Sequence, residues 1–505
     1  MRSSIGLLCA GCILNVAIMN RARRSAKPLA RFSGIWLVAS MFACSPVPET
    51  PAGPNFVLLS IDTLRADHLG CYGYERETSP NLDRLCARAT RYTQAFAPAP
   101  WTLPSHVAML TGRHPYDLGI RDLDSSIPAD VPLLAEALAE AGYQTAAFVD
   151  SLDGGLVGSK RGFGRGFADY FHSPHGGPSD YKYDMARTLD VALDWLNGRS
   201  RESPFFLFIH TKSVHTAPYI DDDPRQGDSP YDQPGRDGFR FLPKGRLRYQ
   251  WRDLQGNRGV LYLRELNKQI AEGKFDREDF PDSKIEELIG LYDGGIYYVD
   301  QQFQRLIDYL AAHQLTENTV VIVTADHGEA FLEHEYFLHS EVHRELLNVP
   351  LIVHDPKGPG GEVIELPVKL VDIVPSILRR AGVDPPSGLS GRPLPGADDA
   401  SGAGRSQFSF YRFDRMSGRR AFSLQNEDLR VIHERAREGE EPRNRYYDLK
   451  RDPNEQRPIE QPDEAAKKLM GELLERIERG RGATGSRIGV DAKNYERLRA
   501  LGYVE

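Results

Sequence analysis

Cysteine is scarce in this chain, five in 505 residues, and that leaves little to staple a fold of this size. Cys9, Cys12 and Cys44 fall within the first 44 residues, and beyond them only Cys71 and Cys86 remain. Those two are read as separately buried small residues, and no disulfide is assigned. An excess of charge is also missing. The 63 basic and 71 acidic residues are mixed along the chain and sum to −8, so nothing points to a nucleic-acid partner. No apolar run reaches the ~20 residues of a comfortable membrane span, and no internal repeat is evident.

What is present begins with two competing apolar runs. Residues 5 to 18 are short and follow a single arginine, whereas Phe32 to Ala43 follows Arg21, Arg23, Arg24, Lys27 and Arg31. The second has the basic and then apolar order of an export signal, which makes Met19 a candidate initiator. It ends in Ala43-Cys44, a pattern similar to a lipoprotein cleavage site. The expectation is an exported protein, lipid-anchored at Cys44 to a membrane and facing the periplasm or cell exterior, with a plain secretory signal or single membrane anchor as the alternative. Residues 45 to 54 are rich in Pro, Ala and Gly and read as a tether.

From residue 55 the chain alternates short apolar runs with helix-like stretches. The runs at 55–61, 146–150, 205–210, 320–325 and 350–354 are too short for helices and read as buried strands. The stretch at 133–142 has helical spacing and stops at a glycine. This order predicts an α/β fold with a mainly parallel central sheet covered by helices on both faces. Residues 220–285 are polar and read as a variable insertion forming a lid or substrate wall, and 386–404 has the composition of a linker. The expected catalytic domain is therefore 55–386. A C-terminal part, 387–505, carries short β-like runs and a helix at 464–478.

Ligand sites in such sheets lie beyond the carboxyl ends of the strands. Asp62 follows the first strand and Asp326-His327 follows the run at 320–325, so all three are placed at such ends. Two carboxylates and an imidazole suit a divalent cation, which would lower the pKa of a nearby hydroxyl and neutralise an anionic ester. Taken singly, each is as easily a cap or a hydrogen-bonded core residue.

Several segments together favour the catalytic reading. They are NFVLLSIDTLRADHLGCYGY (55–74), TSPNLDRL (78–85), TLPSHVAMLTGR (102–113), PFFLFIHTKSVHTAPY (204–219), TVVIVTADHGEAFLEH (319–334) and VPLIVHDP (349–356). In this order they resemble the sulfatase family of the alkaline phosphatase superfamily, from about residue 54 to the C-terminus. The resemblance implies that family's fold, including a small C-terminal antiparallel sheet and helix beside the main domain, and hydrolysis of sulfate or phosphate esters with one divalent metal ion, Zn, Mn or Ca.

Three departures carry chemistry. Thr102 stands where the family has a cysteine or serine that is oxidised to formylglycine, and threonine cannot become an aldehyde because its Cβ bears a methyl group. His106 stands where the family has an arginine that holds the formylglycine. Thr63 also replaces a second family aspartate, which makes a calcium site built on several carboxylates less expected. The resemblance thus implies Asp62, Asp326 and His327 as metal ligands and Thr102 as an unmodified nucleophile. That favours phosphate monoesters, diesters or phosphonate esters, with a sulfatase working without formylglycine, a phosphoethanolamine-type transferase and an inactive binding protein as alternatives. His215 resembles the family histidine that contacts the ester, and His339 lies where a supporting lysine or histidine stands. His334 and His343 flank His339, and spacing does not say which of them enters the site. Lys212, Arg65 and Arg113 are candidate partners for the bound anion.

Overall fold

The computed structural model describes residues 53–150, 155–172, 184–216, 231, 239–245, 247–251, 259–396, 404–412, 420–435 and 441–489. The export segment, with Met19 and Cys44, lies outside them, as do the tether up to residue 52 and the C-terminal 490–505. Residues Thr50–Glu505 belong to one compact unit.

In chain order the catalytic part contains β1 (Asn55–Ile61), α1 (Pro80–Cys86), β2 (Thr90–Phe96), α2 (Thr102–Thr111), β3 (Ser125–Ser126), α3 (Leu134–Glu140), β4 (Gln144–Val149), β5 (Asp169–His172), α4 (Met185–Gly198) and β6 (Phe205–Thr211). There follow α5 (Gly259–Ala271), α6 (Asp282–Ala312), β7 (Thr319–Ala325), β8 (Ala330–Phe331), β9 (Phe337–Leu338), α7 (Arg344–Leu347), β10 (Asn348–His354), β11 (Val363–Ile364), β12 (Val368–Lys369) and α8 (Ile373–Ala381). The C-terminal part contributes β13 (Gln407–Arg412), β14 (Arg420–Gln425), β15 (Leu429–Arg435), β16 (Arg443–Asp448), α9 (Glu464–Arg481) and β17 (Ser486–Arg487).

The central sheet runs β11-β2-β10-β7-β1-β6-β4-β5, with β12 also on β2. Its pairings are parallel except at β10, which is antiparallel to both β2 and β7. The expected mainly parallel sheet is therefore mixed at this strand. Every residue of β1, β6 and β7 is buried, which is why these strands read as continuous apolar runs and not as alternating ones. Phe205 meets Trp195 of α4 at 6.4 Å between rings, and Phe208 meets His106 of α2 at 6.0 Å. Side chains three apart on a strand point to opposite faces, so α2 and α4 cover opposite sides of the sheet.

The C-terminal strands form a four-stranded antiparallel sheet, β13-β14-β15-β16. Its Phe408, Phe410 and Phe422 close on Tyr116 of the catalytic part with ring distances of 5.3, 5.1 and 5.9 Å. Among the described residues no helix is long and apolar enough to cross a membrane. One expectation is overturned here: Cys71 and Cys86 form a disulfide across a Cα–Cα distance of 6.4 Å. The helical turn at Gly70–Tyr72 folds back onto α1, so two residues 15 apart in sequence meet, which spacing alone does not reveal.

Candidate active site

β1 lies between β7 and β6, and the three are in parallel register, with Ile61 opposite both Ala325 and Thr211. One residue further along, Asp62, Asp326 and Lys212 leave neighbouring strands side by side, about 4.8 Å apart by strand spacing. The backbone holds this exit open by an uncommon conformation. Thr63 has φ 60°, a left-handed value that a β-branched residue rarely adopts. It is pinned there from several directions. Its carbonyl accepts the Tyr292 hydroxyl at 2.7 Å, its amide donates to Asp326 Oδ1 at 3.3 Å, and its hydroxyl donates to the Asp62 carbonyl at 2.7 Å. After His327, Gly328 passes so close to α7 that a Cβ there would sit 1.9 Å from the Glu345 carbonyl, which accounts for the glycine in the Asp-His-Gly run.

Asp62, Asp326 and His327 each offer one ligand atom within 4.8 Å of the others, and all three are fully buried. His327 Nδ1 lies 2.9 Å from the Gly328 carbonyl, so Nδ1 carries the proton and Nε2 turns its lone pair inward. Nε2 stands 3.4 Å from Asp62 Oδ1 and 3.6 Å from Asp326 Oδ2. Among the described residues, both Asp62 oxygens, Asp326 Oδ2 and His327 Nε2 have no hydrogen-bond partner. Buried polar atoms left this way are costly unless something else satisfies them, and a divalent cation among the four would do so.

Electrostatics agree. Burial opposes ionisation of Asp62, yet Lys212 at 3.4 Å, with the His215, His327 and His210 rings, holds its carboxyl well below the usual range. Burial and the Asp62 charge push Asp326 well above it. Two adjacent carboxylates displaced in opposite directions are a pair that needs a cation to ionise together.

Thr102 opens α2, whose ten residues are all buried. One turn later His106 anchors it. Its Nδ1 lies 2.8 Å from the Thr102 carbonyl and 3.7 Å from Asp326 Oδ2, and Nε2 lies 3.0 Å from the Ser60 hydroxyl. The His210 ring lies 4.3 Å from that of His106, with Nε2 3.8 Å from Asp62 Oδ2. Burial lowers His106 to about 4 and His210 well below its usual value, so both rings are neutral near pH 7.

The histidines after β7 fall into two groups in the structure. The His339 ring lies 4.6 Å from that of His327, tilted, and 5.2 Å from that of His215, edge-on, so the three rings form one row. His334 and His343 instead stack on each other at 3.7 Å in a separate cluster. His215 Nδ1 is 3.0 Å from the Thr216 hydroxyl, and burial lowers the ring to about 4. Glu329 escaped the sequence reading. Its Oε1 is 3.1 Å from His339 Nδ1, it hydrogen-bonds Tyr231, and burial raises its carboxyl to about 7. The available signal was a carboxylate two residues beyond His327 inside an otherwise apolar stretch.

Described residues of the 220–285 stretch pack beside these groups. Tyr231 packs on Tyr292 and Phe331 at 5.7 and 5.9 Å, and Asn267 of α5 exchanges hydrogen bonds of 2.8 and 2.7 Å with the Phe337 backbone. The two arginines expected as anion partners have protein partners in the structure. Arg65 is committed to Asp67, Glu333 and the Glu329 carbonyl, so its charge is already neutralised by two carboxylates. Arg113 follows the C-terminal end of α2, about 15 Å along the helix from Thr102, and donates to the Ser387 carbonyl at 2.7 Å.

Comparison with known proteins gives the family. The family model described as Sulfatase matches residues 54–383, and one described as N-sulphoglucosamine sulphohydrolase, C-terminal, matches 332–482. An N-acetylglucosamine-6-O-sulfatase of Bacteroides thetaiotaomicron is 24% identical over 501 residues, covering 87% of this chain and 88% of that protein. A solved structure in complex with its substrate D-glucosamine-2-N,6-O-disulfate aligns with TM-score 0.63 at 21% identity, covering 89% of this chain and 99% of that one. The phosphonate monoester hydrolase of Agrobacterium radiobacter aligns with the same TM-score at 18% identity, covering 87% and 98%. With the matched span taking in Asp62, Thr102, Asp326, His327 and the histidine row, this chain is a member of the sulfatase family.

Proposed function

We propose that this sulfatase-family hydrolase cleaves phosphate or phosphonate esters, with Thr102 as an unmodified nucleophile and one divalent ion held by Asp62, Asp326 and His327. The observation that carries this reading is the set of four buried ligand atoms at the ends of β1 and β7 that lack a hydrogen-bond partner among the described residues. A bound divalent cation supplies charge neutralisation of the ester and acidification of the Thr102 hydroxyl. Thr102 Oγ gives up its proton to solvent and attacks the central atom while the bond to the leaving oxygen breaks, and that oxygen departs toward His215 and His339 and takes a proton from water. Thr102 lacks the aldehyde hydrate through which a formylglycine adduct collapses, so the threonine ester is released by water attacking the same central atom. Lys212, beside Asp62, supplies positive charge to the anion. The amino end of α2 adds the favourable end of a helix dipole.

The phosphonate monoester hydrolase among the structural relatives supports this substrate class, while the N-acetylglucosamine-6-O-sulfatase favours a second reading, sulfate esters of sugars. An activity panel of aryl sulfate, phosphate monoester, phosphate diester and phosphonate monoester, with Zn, Mn and Ca in turn, separates the two. Turnover of aryl sulfate alone would overturn the first reading. Asp326→Ala should lose metal and activity together, and an Asp326→Ala protein with normal turnover would overturn the metal centre itself. Export with acylation at Cys44 belongs to the same proposal, and a mature N-terminus elsewhere in the mass spectrum would refute it.

A further inference from the structure

A third carboxylate stands at the same end of the sheet as Asp62 and Asp326 and is not one of the ligands between them. β4 pairs in parallel with β6, with Val149 opposite His210, so Asp150 leaves β4 beside Thr211. Its amide donates to the His210 carbonyl at 2.8 Å, and its side chain is fully buried. The hydroxyls of Thr211 and Ser213 lie 3.3 and 3.5 Å from Asp150 Oδ2 and 3.0 Å from each other. The amides of Lys212 and Asp184 also face this carboxyl. Thr211 Oγ1 in turn accepts the Ser213 amide at 3.2 Å, and Ser213 Oγ accepts the amide of Met185, the first residue of α4, at 3.0 Å.

We propose that Asp150 is a positioning residue that acts through Lys212: it fixes the turn at 211–213 so that the ammonium stands against Asp62 and reaches the bound ester anion. This inference rests on the anion-binding role proposed above for Lys212. Lys212 is the middle residue of that turn, and the hydroxyls on both sides of it converge on Asp150. A lysine ammonium ends a flexible four-carbon stem, so its place is set by the backbone from which it starts. Here Nζ lies 3.4 Å from Asp62 Oδ2, and the Lys212 carbonyl accepts the His215 amide at 3.0 Å. The one turn therefore carries two of the groups assigned to the ester. Residues 211–213 are all buried, and their polar groups need acceptors that an apolar side chain at position 150 could not give. An acceptor oxygen is all that this arrangement asks of residue 150. Burial pushes the Asp150 carboxyl up to about 7, so near neutral pH it is partly protonated and asparagine is its close stand-in.

The test is a double-mutant cycle on the full-length chain: wild type, Asp150→Ala, Lys212→Met and the two combined, with Asp150→Asn alongside. The readout is kcat/KM for whichever ester of the panel is turned over fastest. An enzyme for sulfate esters alone, which overturns the phosphoryl reading, therefore leaves this test intact. Where no ester is turned over, the dissociation constants of inorganic phosphate and sulfate take its place. Asp150→Ala is expected to lower kcat/KM by about 10²-fold, the cost of misplacing a group at the site by about 1 Å, with metal content unchanged. In the Lys212→Met background the same change is expected to cost no more than about 2-fold, and Asp150→Asn to keep most of the wild-type rate. Anion binding is expected to weaken in the same pattern. Equal losses in the two backgrounds overturn the proposal, because a residue that merely supports the fold costs the same whether or not Lys212 is present. So does an Asp150→Asn chain as impaired as Asp150→Ala, or, in the absence of turnover, a wild type that binds neither anion. Should Asp150→Ala not fold, Thr211→Val replaces it in the cycle, with the same outcomes on either side.

Discussion

Thr102→Ala and Thr102→Ser separate the proposed nucleophile from a metal-activated water. Alanine removes the attacking oxygen and should lower kcat by about 10³-fold or more, with metal content unchanged, whereas serine keeps the oxygen and most of the rate. Near-normal turnover by Thr102→Ala would transfer the role to water. Glu329 gives the pH test. Burial raises its carboxyl to about 7, so it is protonated below that pH and becomes the ionised acceptor of the His339 Nδ1 proton above it. Activity should therefore climb as pH rises through about 7 in the wild type. Glu329→Gln cannot ionise, and its profile should be flat across the same window while the metal stays bound. An unchanged ascending limb would place the titration on another group.

At the scale of elements, the start of α1 depends on a side chain more than two hundred residues away. Asp300 of α6 accepts the amides of Asn81, at 3.1 Å, and Leu82, at 2.8 Å, supplying the cap that Ser79 does not. Asp300→Ala strands these donors in a buried position and should cost about 2 kcal/mol, read as a lower midpoint in urea melts. The disulfide between Cys71 and Cys86 closes the loop just before the same helix. Its removal in Cys71→Ser/Cys86→Ser should cost about 3 kcal/mol for a loop of this length, and a reductant should lower the wild-type midpoint but leave the variant's unchanged. Other elements were legible from sequence because their determinants are local. Continuous apolar runs gave β1, β6 and β7, and the helical spacing at 133–142 gave α3.

At the scale of the whole molecule, the C-terminal sheet covers what would otherwise be an exposed aromatic patch. Tyr116 packs against Phe408, Phe410 and Phe422, Arg430 donates to the Val342 carbonyl at 2.9 Å, and Glu455 meets His343. A chain truncated after residue 386 should lose the support of the segment bearing His339 and aggregate or melt early, which size-exclusion chromatography and thermal melts would show. A monomeric, fully active fragment would refute the dependence.

The amino-acid sequence by itself determined the class of fold and the family, and it placed the proposed site residues at the strand ends. Buried strands announce themselves as apolar runs, and Asp62, Thr102 and Asp326-His327 stand in a fixed order along them. Which histidine joins the centre, what Arg65 and Arg113 do, that Cys71 meets Cys86 and that Glu329 sits behind His339 were decided only by the tertiary structure. Each of these depends on the direction a side chain takes from a loop or from the end of an element, and on partners between two and several hundred positions away. Hydrophobic periodicity records which residues are buried and is silent on which of the polar ones face each other.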